Sequence, residues 1–136
     1  MGPDYAHAHT IRWSQQIAGF DGYVFVVPEY NHSMPAALKN AIDYLYVEWK
    51  DKAAGFIGYG TQGGQRSVEH LRAVMTELHV ANVRDQVALS LFEDVVDDDI
   101  APRDFHSDAL QRMLDQVVAW SSALATLRSP VEASRS

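Results

Sequence analysis

The sequence predicts a single α/β domain, a parallel sheet packed between helices as a three-layer sandwich. Three observations predict it. The first is the run Val24-Phe25-Val26-Val27, apolar and β-branched without a polar break, which suits a strand buried on both faces. The second is the abrupt stop of that run at Pro28, succeeded by a short polar link and then by Leu38, Ile42 and Leu45 at helical spacing. The third is that strands and helices go on alternating along the chain, without an internal repeat or a linker that would divide it. Ligands in open α/β sheets gather beyond the carboxyl ends of strands, so residues 28–33 are the first place to look for a site.

Taken in order, Met1 to Tyr5 reads as loop, and Ala6 to Gly19 as an amphipathic helix carrying Ile11, Trp13 and Ile17 and ended by its glycine. His7 and His9 fall on different sides of that helix and make poor joint metal ligands. The strand Gly22 to Val27 leads to a helix from Met34 to about Tyr46, with Ser33 as a hydroxyl cap and Pro35 in its first turn. Tyr44, Tyr46 and Trp49 crowd its end, each explicable as core and together suggesting a subunit interface. Lys50, Asp51 and Lys52 read as a polar turn. A second buried strand, from Ala53 or Ala54 to Tyr59, runs into Gly60-Thr61-Gln62-Gly63-Gly64, where glycines allow either close backbone approach to a ligand or a plain turn. A helix from about Arg66 to His79 carries Val68, Leu71 and Met75 inward, and a third strand spans Gln86 or Val87 to Leu91. The acidic segment Glu93 to Asp99 lacks the spacing and the glycine of a calcium loop and reads as solvated. A last helix from about Arg103 to Leu127 shows Leu110, Met113, Leu114, Val117, Val118, Leu124 and Leu127 as one stripe. The domain is thus 1–128, with 129–136 as a disordered tail.

Composition narrows the function. Eleven Lys and Arg against 18 Asp and Glu give a formal charge of -7, with no basic cluster to receive nucleic acid. The absence of cysteine rules out disulfides, thiolate catalysis and thiolate metal sites. No apolar run approaches the roughly 20 residues of a membrane span, and the start lacks a basic region followed by an apolar one. The expectation is a soluble cytoplasmic protein without a metal, a membrane partner or a nucleic-acid partner. Within the first loop Glu29 offers a general acid, but a loop carboxylate near a helix start is more often a partner of the helix dipole. Tyr30 is either a cover for a ligand or a half-buried loop aromatic, and Asn31 and Ser33 either cap the helix or touch a ligand. Lys39, Asn40 and Asp43 belong to the helix and an interface.

The ordered stretch Pro28-Glu29-Tyr30-Asn31-His32-Ser33-Met34-Pro35-Ala36-Ala37-Leu38-Lys39-Asn40-Ala41-Ile42-Asp43 closely resembles the signature of the NADPH-dependent FMN reductase family, whose members have a flavodoxin-like fold. Tyr59-Gly60-Thr61-Gln62-Gly63-Gly64 resembles that family's second flavin-side loop at the family's spacing, and the likeness runs from about Tyr5 to about Phe92. The resemblance implies bound FMN, held by Pro28, Glu29, Tyr30, Asn31 and Ser33 on one side and by Gly60, Thr61, Gln62, Gly63 and Gly64 on the other. It implies backbone N–H groups around Glu29 to Asn31 on the ring's polar edge, with no catalytic side chain required. NAD(P)H would give a hydride to the flavin, and a flavin, quinone, azo compound, metal ion or similar acceptor would take the electrons in a homodimer or homotetramer.

Members of that family begin with a strand, a phosphate-binding loop, a helix and a second strand that have no counterpart here, so the expectation is an N-terminally truncated flavodoxin-like domain. Two consequences are expected. The strand Gly22 to Val27 is left bare along one edge and invites strand exchange or oligomerisation. The FMN phosphate also loses several charge-assisted hydrogen bonds of about 1.5–3 kcal/mol each, lowering affinity by on the order of a thousandfold. The alternative function is a flavodoxin-like fragment without catalysis, an assembly module or non-functional truncation; an unrelated α/β response or binding domain ranks behind both.

Overall fold

The computed structural model describes residues 4–128. The expected disordered tail, Ser129 to Ser136, and the first three residues of the expected N-terminal loop lie outside the described residues. The chain runs α1 (Ala8–Ala18), β1 (Gly22–Pro28), α2 (Ala36–Asp43), a 3-10 turn (Val47–Trp49), β2 (Lys52–Gly60), α3 (Gln65–Glu77), β3 (Val80–Ser90), β4 (Val95–Val96), β5 (Asp99–Ile100) and α4 (Asp104–Arg128). The main sheet has the order β1-β2-β3, all parallel, with Phe25 opposite Phe56 and Ile57 opposite Val87. This is the α/β sandwich the alternation predicts.

The two faces are unequal. On one, α1, α2 and α3 bury Ile17, Ile42, Leu71, Met75 and Trp49 against Val27 and Phe56. On the other, α4 alone packs Met113 and Val117 on Val83, with Ile57 and Leu110 beside them. The expected single stripe on α4 is therefore too wide: Met113 and Val117 are buried, while Leu114, Val118 and Leu127 are exposed. A three-stranded sheet offers a helix only one narrow row to cover.

Several sequence expectations need correction, each for a physical reason. The helix from Met34 to Tyr46 is interrupted after Asp43, and the chain re-enters as the 3-10 turn that drives Trp49 into the core at 1% exposure. Trp49 is thus core rather than interface, packed against Trp13, Tyr23 and Phe25. Lys52 is not part of a polar turn. It is buried and starts β2, donating to the carbonyls of Ile17 and Ala18 at the C-terminus of α1 and to the Tyr23 hydroxyl. Burial, joined by the nearby Arg128 and opposed by Asp21 and Glu48, lowers its ammonium to about 8.

The third strand begins at Val80, earlier than expected, because Asn82, Arg84 and Asp85 break its apolar pattern around a register shift opposite Ala54 to Phe56. The acidic segment is not simply solvated. Asp97 and Asp98 turn the β4–β5 hairpin at positive φ, a conformation Asp tolerates. Asp94 is fully buried and accepts from Ser90 N–H and from Arg103. Burial raises its carboxyl, but those bonds and the neighbouring Arg103 and His106 outweigh it and hold the group below the usual carboxylate value.

Candidate cofactor site at the ends of the first two strands

Parallel neighbours end side by side, so the loops after β1 and β2 meet. The Glu29 amide donates to Tyr59 O at 3.1 Å, and a Cβ placed on Gly60 would come within 3.2 Å of Glu29 Cβ. The structure thus brings all ten expected cofactor residues, Pro28 to Asn31, Ser33 and Gly60 to Gly64, to one end of the sheet.

The first loop is a small hairpin of its own. Tyr30 N–H donates to Ser33 O at 2.9 Å and Ser33 N–H returns to Tyr30 O at 3.1 Å. Asn31 (φ 49) and His32 (φ 73) form the tip, both left-handed, which is the two-residue turn Asn favours. Ser33 is therefore not the cap of α2. Pro35 occupies that position, and the Ser33 hydroxyl instead lies 2.9 Å from His70 Nδ1. Glu29 and Tyr30 spend their amides inside the protein, so among the described residues the unpaired N–H groups of this loop belong to Asn31 and His32.

The second loop turns through Gly63 and Gly64, both at φ 66. Their Cα atoms press on the sheet: a Cβ on Gly64 would lie 2.4 Å from Tyr59 N, and one on Gly63 would lie 3.0 Å from Ala88 Cβ. Both glycines are required by the protein's own packing. The amides of Thr61, Gln62 and Gly64 make no hydrogen bond among the described residues.

What fixes the two loops is a clamp that sequence reasoning missed. The Glu29 side chain is 5% exposed, ion-paired to the Arg66 guanidinium and hydrogen-bonded by Arg66 N–H at 3.2 Å. Ser67 Oγ donates to Pro28 O at 2.9 Å, and Arg66 Nη1 lies 3.1 Å from His32 Nδ1. Burial raises the Glu29 carboxyl, but the bonds and charge of Arg66 and the amides of Arg66 and Ser67 outweigh it and lower the group overall. The dipole reading of Glu29 thus holds, at the N-terminus of α3. A legible signal existed: an acid one residue beyond β1 and an arginine at the second position of α3, across two adjacent parallel strands.

Chemically, this end of the sheet offers free backbone donors and the 62% exposed Tyr30, while Glu29 is committed to Arg66 and His70 lies against Ser33. Those features fit the polar, acceptor-rich edge of a planar cofactor that brings its own chemistry. A separate 780 Å³ groove lies between α2 and α3, lined by Tyr5, Tyr44, Tyr46, Val47, Val74 and Leu78 among others, away from these loops. Among the described residues no group of three or more His, Asp or Glu is placed to hold a metal, and no helix is long and apolar enough to cross a membrane.

A protein named NAD(P)H-dependent FMN reductase from Schizosaccharomyces pombe is 37% identical over 129 residues, covering 94% of this chain and 58% of its own length. One of the same description from Saccharomyces cerevisiae is 38% identical over 114 residues, covering 82% of this chain and 59% of its own. The chain thus spans less than two thirds of these relatives. Among solved structures, the flavoenzyme NAD(P)H:(acceptor) oxidoreductase FerB from Paracoccus denitrificans superposes with a TM-score of 0.70 at 25% identity, over 87% of this chain and 70% of that one, and the fold is flavodoxin-like. With the model of NADPH-dependent FMN reductase matching residues 1–94, the chain belongs to that family.

Proposed function

We propose that this chain is an NAD(P)H-dependent FMN oxidoreductase that passes a hydride from NAD(P)H to FMN and electrons onward to a flavin, quinone, azo or similar small acceptor. The observation that carries the reading is the meeting of two loops whose amides, Asn31 and His32 on one side and Thr61, Gln62 and Gly64 on the other, have no hydrogen-bond partner among the described residues. When bound, FMN supplies the hydride-accepting chemistry. The protein's part is to present donors to the ring edge, to lay Tyr30 beside it and to keep both loops rigid through Glu29 and Arg66. The N-terminus of α3 already carries the Glu29 carboxylate, so it does not serve the FMN phosphate.

The test is an absorption spectrum of the purified protein with and without added FMN, followed by NADPH or NADH. The expected result is a shifted flavin band at excess FMN that the pyridine nucleotide bleaches and a quinone restores. A spectrum equal to the sum of its parts at the highest FMN reached favours the non-catalytic assembly-module reading. A homodimer or homotetramer remains part of the proposal, supported by Tyr44 and Tyr46, which stay 45% and 60% exposed at the rim of the α2–α3 groove. The cytoplasmic location expected from the sequence is likewise proposed, with cell fractionation as its check.

A further inference from the structure

We propose that His32 and His70 are positioning residues that latch the tip of the first loop onto α3, holding the Asn31 and His32 amides in place for the flavin while the His32 ring is neutral. The inference rests on the flavin reading above. The base of that loop is firmly held: Glu29 N–H donates to Tyr59 O, Ser67 Oγ donates to Pro28 O, and the Glu29 carboxylate is paired with Arg66. Beyond Tyr30 the ties thin out. Among the described residues, two hydrogen bonds join residues 31–33 to other elements, one from Arg66 Nη1 to His32 Nδ1 at 3.1 Å and one between His70 Nδ1 and Ser33 Oγ at 2.9 Å. Arg66 and His70 stand one turn apart on α3, so both ties leave the same face of that helix.

The two ties respond differently to a proton. A guanidinium has only donors, so His32 Nδ1 must accept, and the ring is the neutral tautomer that carries its hydrogen on Nε2. A proton added at Nδ1 removes that acceptor and sets an imidazolium against a guanidinium that Glu29 holds in place. The tie at His70 survives in both states: a neutral ring accepts from the Ser33 hydroxyl, and a charged one donates to its oxygen. Its ring centroid lies 6.1 Å from that of His32, a second positive neighbour once both are charged.

The titratable groups around His32 offer no compensating anion. From α3 they are Arg66 and His70, with Glu69 acting on Arg72; from the loop, Glu29, which Arg66 already occupies, and the Tyr30 phenol; from α2, Lys39, which is paired with Asp43. The glycine loop brings none. Histidine changes charge between roughly pH 5 and 8. On the acid side of that range the tip keeps one tie of two, while Asn31 and His32 still have the cost of φ 49 and 73 to meet. A ligand that needs the tip in place then binds with an affinity reduced by the fraction of chains that still hold it there.

The test begins without flavin. Imidazole nitrogen and backbone amide resonances are followed from about pH 8 to about pH 5 in the wild type, His32→Asn and His70→Asn. Asparagine places an amide oxygen where Nδ1 stood, takes up no proton in this range and tolerates left-handed φ. The expected result is the Nε2–H tautomer of His32 at the alkaline end, with Asn31 and Ser33 amides that follow the titration of its ring at one midpoint. That step should vanish in His32→Asn and persist in His70→Asn. Lumiflavin, which has no phosphate to titrate, then reads the consequence: binding about tenfold weaker at the acid end in the wild type, against a change of under about twofold in His32→Asn. A hydrogen on Nδ1 at the alkaline end, Asn31 and Ser33 amides that ignore the His32 titration, a lumiflavin affinity flat across the range, or an equal pH effect in His32→Asn would each overturn the latch. Lumiflavin that binds at no pH refutes the flavin reading alone, since the ring and amide titrations decide the latch by themselves.

Discussion

Gly64→Ala is expected to cost about 3–5 kcal/mol, a large fraction of the stability of a domain of this size. Two costs add. Gly64 sits at φ 66 as the residue that launches α3, a left-handed conformation that a non-glycine residue adopts at a penalty. The added methyl would also lie 2.4 Å from Tyr59 N and 2.8 Å from Gly58 C, both backbone of the central strand β2, which has no rotamer through which to yield. Urea denaturation followed by circular dichroism measures it. Gly19→Ala is the control, because its Cβ would meet nothing closer than 3.6 Å at an ordinary φ of -75. A Gly64→Ala protein within about 1 kcal/mol of wild type would mean that the glycine loop is not seated on the sheet as described.

The second large effect is expected from Arg66→Ala, at about 2–4 kcal/mol. Removing the guanidinium strands a carboxylate that is 5% exposed, and breaking a buried pair from one side is costlier than the pair's net worth. Replacing both partners, as Glu29→Gln with Arg66→Ala, should recover part of the loss. A double variant no better than Arg66→Ala alone would show that the carboxylate is not the injured group. The same pair sets a pH dependence. The folded carboxyl is lowered from its ordinary 4.5, so the unfolded chain takes up its proton first as pH falls. The stability it contributes is complete above that ordinary value and is lost as pH drops through the lowered one. In Arg66→Ala the folded carboxyl moves back up toward its ordinary value, so the acid-side loss that this group contributes should shrink, and an unchanged acid limb would contradict the assignment.

Much of the architecture was legible because it rests on strong local signals. Val24 to Val27 and Ala53 to Tyr59 are unbroken apolar runs, and Leu71 and Met75 repeat at helical spacing, so β1, β2 and α3 lie close to where their residues place them. What was missed depends on contacts distant in sequence. Lys52 is buried because the end of α1 supplies carbonyls 34 and 35 residues away, a partner no local pattern announces. Trp49 enters the core because a 3-10 turn redirects the chain after Asp43, and that break has no glycine or proline to mark it. Asp94 sits in an acidic run whose other members are exposed or partly exposed, and only Arg103 and the Ser90 amide distinguish it. At the site, the position of the two loops at the ends of β1 and β2 was readable from the strand and helix signals around them, whereas the hairpin at Asn31 and His32 and the clamp from Arg66 required coordinates. The hairpin also changes which atoms are available: Glu29 and Tyr30, expected to offer their amides to a flavin, use them within the protein.

The measurement that tests the central claim most directly is an FMN titration of isotope-labelled protein followed residue by residue through its backbone amide resonances. The account predicts that Asn31 and His32 shift together with Thr61, Gln62 and Gly64, with one shared binding curve, while the amides of Glu29 and Tyr30, already bonded, move less. Shifts confined to the groove between α2 and α3, or no shift at saturating FMN, would contradict it.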